Sequence, residues 1–119
     1  MGVLLGNGDG TFQAPVFYND GGYASYLAVA DYNGDGHADM AVVSNSTAVS
    51  VLLGNADGTF DAPKIYVVST LPLSSITAGD FNGDGKADLV LATGFGWLCG
   101  DCAAGQWRRH ISAGAYLFD

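Results

Sequence analysis

Residues 31–39 read DYNGDGHAD and residues 80–88 read DFNGDGKAD, each with three aspartates and one asparagine spaced by glycines. Ionised carboxylates this close repel one another, and a cation that offsets the repulsion is the chemistry such a loop invites. Calcium is a hard cation that takes six to eight oxygens at about 2.3–2.6 Å. Alternate side chains of a tight loop turn inward, so ligands are expected at the first, third, fifth and ninth positions, with a backbone carbonyl from the seventh. In the first loop these are Asp31, Asn33, Asp35, Asp39 and the carbonyl of His37; in the second they are Asp80, Asn82, Asp84, Asp88 and the carbonyl of Lys86. Two Ca2+ sites are therefore expected. A lysine side chain cannot ligate calcium, so the ring of His37 at the matching position is expected to face solvent. Gly34, Gly36, Gly83 and Gly85 supply the positive φ values that so tight a loop needs.

Three other readings compete for the same residues. An EF-hand loop begins similarly but requires a bidentate glutamate at its twelfth position. Those positions hold Val42 and Leu91. Dockerin-like modules share the opening, yet they are helical and also need an acid there. The third reading is an Asx-rich turn without metal. Six carboxylates repeated identically in two copies make that arrangement costly, which favours calcium.

The elements that must position these loops come from a tandem repeat. LLGNGDGTFQAP (4–15) recurs as LLGNADGTFDAP (52–63), an offset of 48, and VADYNGDGHADMAVV (29–43) recurs as AGDFNGDGKADLVLA (78–92), an offset of 49. A degraded third copy, LCGDCAAGQW, sets Gly105 and Trp107 where Gly58 and Phe60 stood. Short apolar or β-branched runs at 26–30, 39–44, 49–53 and 59–67 are bounded by Gly, Asn, Asp or Pro, the pattern of strands rather than of helices. Four strands in about 48 residues is the arithmetic of one propeller blade. The expected fold is all-β, with about two and a half blades of four antiparallel strands. Residues 1–20 would supply the outer half of one blade, 21–70 a full blade, and 71–119 another with a divergent outer half.

The D-x-N-x-D-G-x-x-D loop between two strands, followed by VLLGNxDGTF, resembles the FG-GAP/VCBS repeat of integrin-α-like β-propellers. Similar repeats occur in bacterial secreted proteins and in some fungal lectins. The resemblance covers residues 1–95 and weakens after Gly94, where the GNxDG turn is lost and Cys99, Cys102, Trp107 and RRH enter. It implies cation loops at the ligand positions named above, and a binding or adhesion module outside the cell.

The GNxDG turns offer a second candidate for metal or sugar through Asn7, Asp9, Asn55 and Asp57, but a hairpin turn is the simpler reading. Phe12 and Phe60 are then expected to pack between blades. The net charge of −8 excludes a basic nucleic-acid footprint, and two divalent cations would halve it to −4. No apolar run approaches a membrane span. MGVLLG lacks the basic start and full apolar stretch of a secretory signal, so a mature form or an excised piece is expected. Cys99 and Cys102 form a lone C-x-x-C. A zinc site would need two more ligands, with His110 the only candidate nearby; ordinary residues or a local disulfide are the alternatives. Arg108, Arg109 and His110 make a small basic patch beside Trp107.

Ser44 and Ser74 sit in no catalytic motif, and the carboxylates that could suggest glycoside hydrolysis are committed to metal, so no enzyme is expected. The leading expectation is a calcium-binding extracellular or secreted module with a protein or glycan ligand. One alternative is a lectin-type propeller stacking sugars on Tyr66, Trp97 or Trp107; another is a self-assembling structural unit. Closed propellers need four to eight blades, so self-association or membership of a larger propeller is also expected.

Overall fold

The computed structural model describes residues 1–69, 71–93 and 117–118. Its short β-branched runs, cut by Gly- and Asn-containing turns, form nine strands among the described residues: β1 (Gly2–Val3), β2 (Val16–Phe17), β3 (Ala24–Ala30), β4 (Asp39–Ser44), β5 (Ala48–Leu52), β6 (Lys64–Val67), β7 (Leu73–Gly79), β8 (Asp88–Thr93) and β9 (Leu117–Phe118). They make three antiparallel sheets, ordered β1-β2, β3-β4-β5-β6 and β7-β8-β9. The protein is all-β, built of propeller-type blades.

The repeat is carried into the strand register. Gly2 faces Phe17 and Val3 faces Val16, as Ser50 faces Ile65 and Val51 faces Lys64, each residue shifted by 48. The β1–β2 pair is thus the outer half of a blade. Ala24 faces Ser44 as Leu73 faces Thr93, and Ala30 faces Asp39 as Gly79 faces Asp88, each shifted by 49. Even the register shift near the start of β3 recurs in β7. Leu89 and Val90 pair with Phe118 and Leu117, as Met40 and Ala41 pair with Leu52 and Val51. So β9 stands where β5 stands in the complete blade.

Every residue of β4 is buried, because the strand lies between two neighbouring sheets. Successive side chains of a strand point to opposite faces. Ala41 and Val43 join Ala28, Val49, Leu73, Leu89 and Leu91 on one side. Met40 and Val42 join Leu52 on the other, against Met1, Val3, Tyr18 and Phe60. Burying a valine or leucine fully is worth about 1.5–3 kcal/mol, so these two seams hold the blades together. Ser44 and Ser50 are buried within the stack, and both donate to the Asp20 carbonyl at 2.6 Å, which satisfies two hydroxyls that water cannot reach.

Two expectations are corrected. The fourth strand begins at Lys64 rather than at residue 59, because Thr59 is held in the preceding turn by Asp57 and Pro63 has no N–H for a ladder. Phe60 does pack between blades, its ring edge-on to Tyr18 at 5.5 Å. Phe12 does not, and is 65 % exposed. The β1–β2 half blade has no inner strands among the described residues to cover it.

Candidate functional site

Both aspartate loops connect the first strand of a blade to the second. In the 31–39 loop, Asp31 Oδ1 accepts from the backbone N–H of Gly34 (2.7 Å) and Asp35 (3.2 Å), and its Oδ2 accepts from Gly36 (2.8 Å). In the 80–88 loop, Asp80 accepts from Gly83 (2.7 Å), Asp84 (3.1 Å) and Gly85 (2.8 Å) in the same way. Turning three successive amides toward one carboxylate requires positive φ at both glycines: 78° and 85° at Gly34 and Gly36, and 80° and 85° at Gly83 and Gly85. A side chain at those positions would be strained.

The next two ligand positions extend the network outward. The amide of Asp35 donates to Asn33 Oδ1, and that of Asp84 donates to Asn82 Oδ1. Asp35 Oδ1 accepts from His37 N–H, while Asn33 Nδ2 donates to Asp35 Oδ2. Asp84 Oδ1 accepts from Lys86 N–H, and the ammonium of Lys86 lies 3.9 Å from Asp84 Oδ2 on the surface. Hydrogen bonds to the charged form hold Asp35 below the usual carboxylate range, the His37 amide first and the Asn33 side chain second. The amide of Gly85 is the main cause of the same lowering at Asp80. These two carboxylates are therefore ionised at neutral pH.

The ninth position behaves differently. Asp39 is fully buried; its Oδ2 accepts from Tyr32 N–H at 2.8 Å and its Oδ1 from Gly54 N–H at 2.7 Å. One carboxylate thus ties the loop entrance to the end of β5. A Cβ at Gly54 would collide with the Ala38 carbonyl oxygen, so the close approach depends on glycine. Asp88 is also buried and accepts from Phe81 N–H at 2.9 Å. Burial, and then the charge of Asp39, push the half-buried Tyr32 phenol up to about 12. Tyr32 donates its hydroxyl to the Ala28 carbonyl at 3.3 Å.

Asp39 and Asp88 are thus bonded to amides at the loop entrances, and no three His, Cys, Asp or Glu side chains are gathered into a metal-holding cluster among the described residues. The oxygen donors are nevertheless of the chemical kind that a hard cation takes. An oxygen that accepts one N–H keeps a second lone pair, and this applies to Asp31 Oδ2, Asn33 Oδ1, Asp35 Oδ1 and both oxygens of Asp39. The half-buried His37 and exposed Lys86 contribute amide N–H groups to the network. The two loops face a common cleft of about 460 Å³ between adjacent blades, bordered by Asp31, Asn33, Tyr32, Asp80 and Lys86.

The GNxDG segments are hairpin turns. Asp9 Oδ1 takes both the N–H and the hydroxyl of Thr11, and Asp57 Oδ1 takes those of Thr59 in the same geometry. The same bonds, led by the threonine hydroxyl, lower both carboxylates below their ordinary value. Threonine two places after the aspartate is the sequence signal for this closure. Tyr66 borders a different hollow of about 220 Å³, lined mainly by Val49, Val51, Val68, Leu89 and Leu91. Ser44 is a buried structural hydroxyl, and Ser74 donates to the Ala92 carbonyl. Trp97, Cys99, Cys102, Trp107, Arg108, Arg109 and His110 lie outside the described residues.

A family model described as FG-GAP-like repeat matches residues 1–42 and again residues 31–91. No curated protein and no solved structure matches the chain.

Proposed function

The chain belongs to the FG-GAP-like repeat family, and from that premise we propose that it is a calcium-stabilised β-propeller-type module serving as a non-enzymatic binding or adhesion unit outside the cell. The observation that carries this reading is the identity of the two loops. Each places an aspartate over three successive amides, an asparagine oxygen on the second of those amides, and an exposed carboxylate at the fifth position. A turn needing only closure is served by one capping aspartate, as at Asp57. The exposed fifth-position acid of each loop goes beyond what closure and anchoring require.

Calcium would draw on Asp31, Asn33, Asp35, Asp39 and the His37 carbonyl in the first loop. In the second it would draw on Asp80, Asn82, Asp84, Asp88 and the Lys86 carbonyl. Each ion would offset two of its loop's three carboxylate charges and tie one strand of a blade to the next. Extracellular calcium is abundant enough to fill even weak sites of this kind. The cleft shared by the two loops is the natural place for a protein or glycan ligand, since it brings fixed carboxylates beside Tyr32.

Isothermal calorimetry with calcium is the test. Two sites are expected, with Asp35→Ala and Asp84→Ala each removing one and Asp57→Ala leaving the stoichiometry unchanged. Saturation at 100 times Kd adds about 2.7 kcal/mol per site if calcium binds only the folded chain, so chelation should lower the melting temperature. Absence of binding heat, together with a melt indifferent to chelator, would refute the calcium reading.

A further inference from the structure

Asn-Gly pairs stand at residues 7–8, 33–34 and 82–83, and this is the dipeptide in which an asparagine loses its side-chain amide most readily. Glycine has no Cβ, so its backbone nitrogen can approach the preceding Cγ without hindrance. That nitrogen attacks only after giving up its proton, so whatever holds the glycine N–H sets the rate. In both aspartate loops a carboxylate holds it: Gly34 N–H donates to Asp31 Oδ1 and Gly83 N–H to Asp80 Oδ1, each at 2.7 Å. Charge-assisted bonds of this length are strong, and the adjacent negative charge disfavours a second one on the nitrogen. Both ends of the Asn33 amide are engaged as well, Nδ2 donating to Asp35 Oδ2 and Oδ1 accepting from Asp35 N–H. The first pair differs. Asn7 and Gly8 are exposed, and Gly8 N–H has no partner among the described residues. The Asn7 side chain is held there by Thr11 Oγ1 alone. In the next repeat Ala56 takes the place of Gly8, and it too is exposed with an unpartnered N–H among the described residues, although its blade has all four strands. The open amide is thus a property of the turn itself.

We infer that Asn7 is a site of spontaneous deamidation, and that Asp31 and Asp80 keep the side-chain amides of Asn33 and Asn82 intact. In the reaction the deprotonated Gly8 nitrogen bonds to Asn7 Cγ and the Cγ–Nδ2 bond breaks. Nδ2 leaves as ammonia, taking up the equivalent of the proton that the Gly8 nitrogen gave up. The succinimide ring that remains takes up water at one of its two carbonyls and opens to aspartate or to isoaspartate. Water is the only co-reactant, and nothing is oxidised or reduced. Either product removes the Nδ2 donor and brings a second carboxylate to the Thr11 hydroxyl that Asp9 already holds. Isoaspartate also lengthens the backbone inside the turn closed by the Gly6–Phe12 bridge. In the aspartate loops the same change at Asn33 or Asn82 would add a fourth carboxylate to the three. The Asp31 and Asp80 bonds therefore preserve the charge of each loop as well as its shape. The same two carboxylates hold the N–H groups of Gly36 and Gly85, the nitrogens that would attack Asp35 and Asp84.

This inference rests on the hydrogen bonds of the loops and not on calcium. The test is to age the wild-type chain in excess chelator at mildly alkaline pH, folded and in urea, and to follow each asparagine by peptide mapping with mass spectrometry. In the folded chain Asn7 should convert first, with Asn33 and Asn82 slower by about 10- to 100-fold, the worth of a hydrogen bond to a charged group. In urea the three rates should converge. Asp31→Ala should raise Asn33 toward the Asn7 rate and leave Asn82 unchanged, Asp80→Ala should do the reverse, and Gly8→Ala should slow Asn7 alone. If an aspartate variant fails to fold, both loop asparagines speed up together, and the folded-to-urea ratios of the wild type then decide. Asn33 or Asn82 converting as fast as Asn7 in the folded wild type overturns the inference. A folded Asp31→Ala chain with an unchanged Asn33 rate overturns it too. Failure of the calcium reading would appear in calorimetry and leave these rates as they stand.

Discussion

Replacing Asp39 with alanine separates two roles that the ninth loop position can combine. The carboxylate is fully buried and receives two backbone N–H groups, at 2.8 Å from Tyr32 and 2.7 Å from Gly54. A hydrogen bond to a charged group contributes about 1.5–3 kcal/mol net, so losing both costs roughly 3–6 kcal/mol, on the scale of a small domain's whole stability of about 5–15 kcal/mol. Asp39→Asn keeps one acceptor oxygen but turns an NH2 group toward an amide donor, so its loss should be about half as large. Asp35→Ala, at an exposed position, should change little without metal. Urea unfolding in excess chelator measures all three variants with calcium binding removed. The expected order of midpoints is wild type close to Asp35→Ala, then Asp39→Asn, then Asp39→Ala, with similar denaturant slopes. If Asp39→Ala matched the wild type in chelator and differed from it only in calcium, the residue would act through metal alone, and the anchoring argument would fail.

Two further outcomes follow from the core and the titrating groups. Leu52→Ala opens a void in the fully buried seam with Met40 and Val42 and should cost about 2–5 kcal/mol in the same urea assay. The folded phenol of Tyr32 titrates near 12 against an ordinary 10.0. Between those values the unfolded chain has lost a proton that the folded chain keeps, so stability is full below pH 10 and declines toward pH 12. The two-unit difference bounds the loss at about 2.7 kcal/mol, and solvent at the half-exposed ring reduces it. Alkaline unfolding curves should show this limb in the wild type and a shallower one in Tyr32→Phe.

The blade order was legible because two independent blocks repeat at offsets of 48 and 49, and hydrogen-bonded register preserves such offsets. Residues 40–43, MAVV, read only as a short apolar run, yet they supply both inter-blade seams. Period-two alternation cannot be seen when both faces of a strand are apolar. Phe12 illustrates the opposite error. Its sequence context equals that of Phe60, but Phe60 meets Tyr18 across a neighbouring sheet while Phe12 is largely exposed. A repeat predicts the environment of a residue only where the neighbouring repeat is also in place.

The ninth position shows where residue spacing stops carrying information. Counting along the loop treats Asp31, Asn33, Asp35 and Asp39 alike, as oxygens arranged around one centre. Asp39, however, is also the first residue of β4, and a strand start fixes which way the side chain leaves the backbone. Tyr32 N–H lies on one side of that carboxylate and Gly54 N–H on the other. The second contact spans fifteen residues of chain and exists only after β4 and β5 have paired. The glycine that permits it is recognisable afterwards, since a Cβ at Gly54 would strike the Ala38 carbonyl. The loop therefore divides its labour: Asp31 folds the turn from within, Asp35 presents an ionised carboxylate to solvent, and Asp39 fastens the loop to the sheet. A cation that recruited Asp39 would act on the anchor as well as the loop, which couples occupancy of the site directly to the stability of the blade.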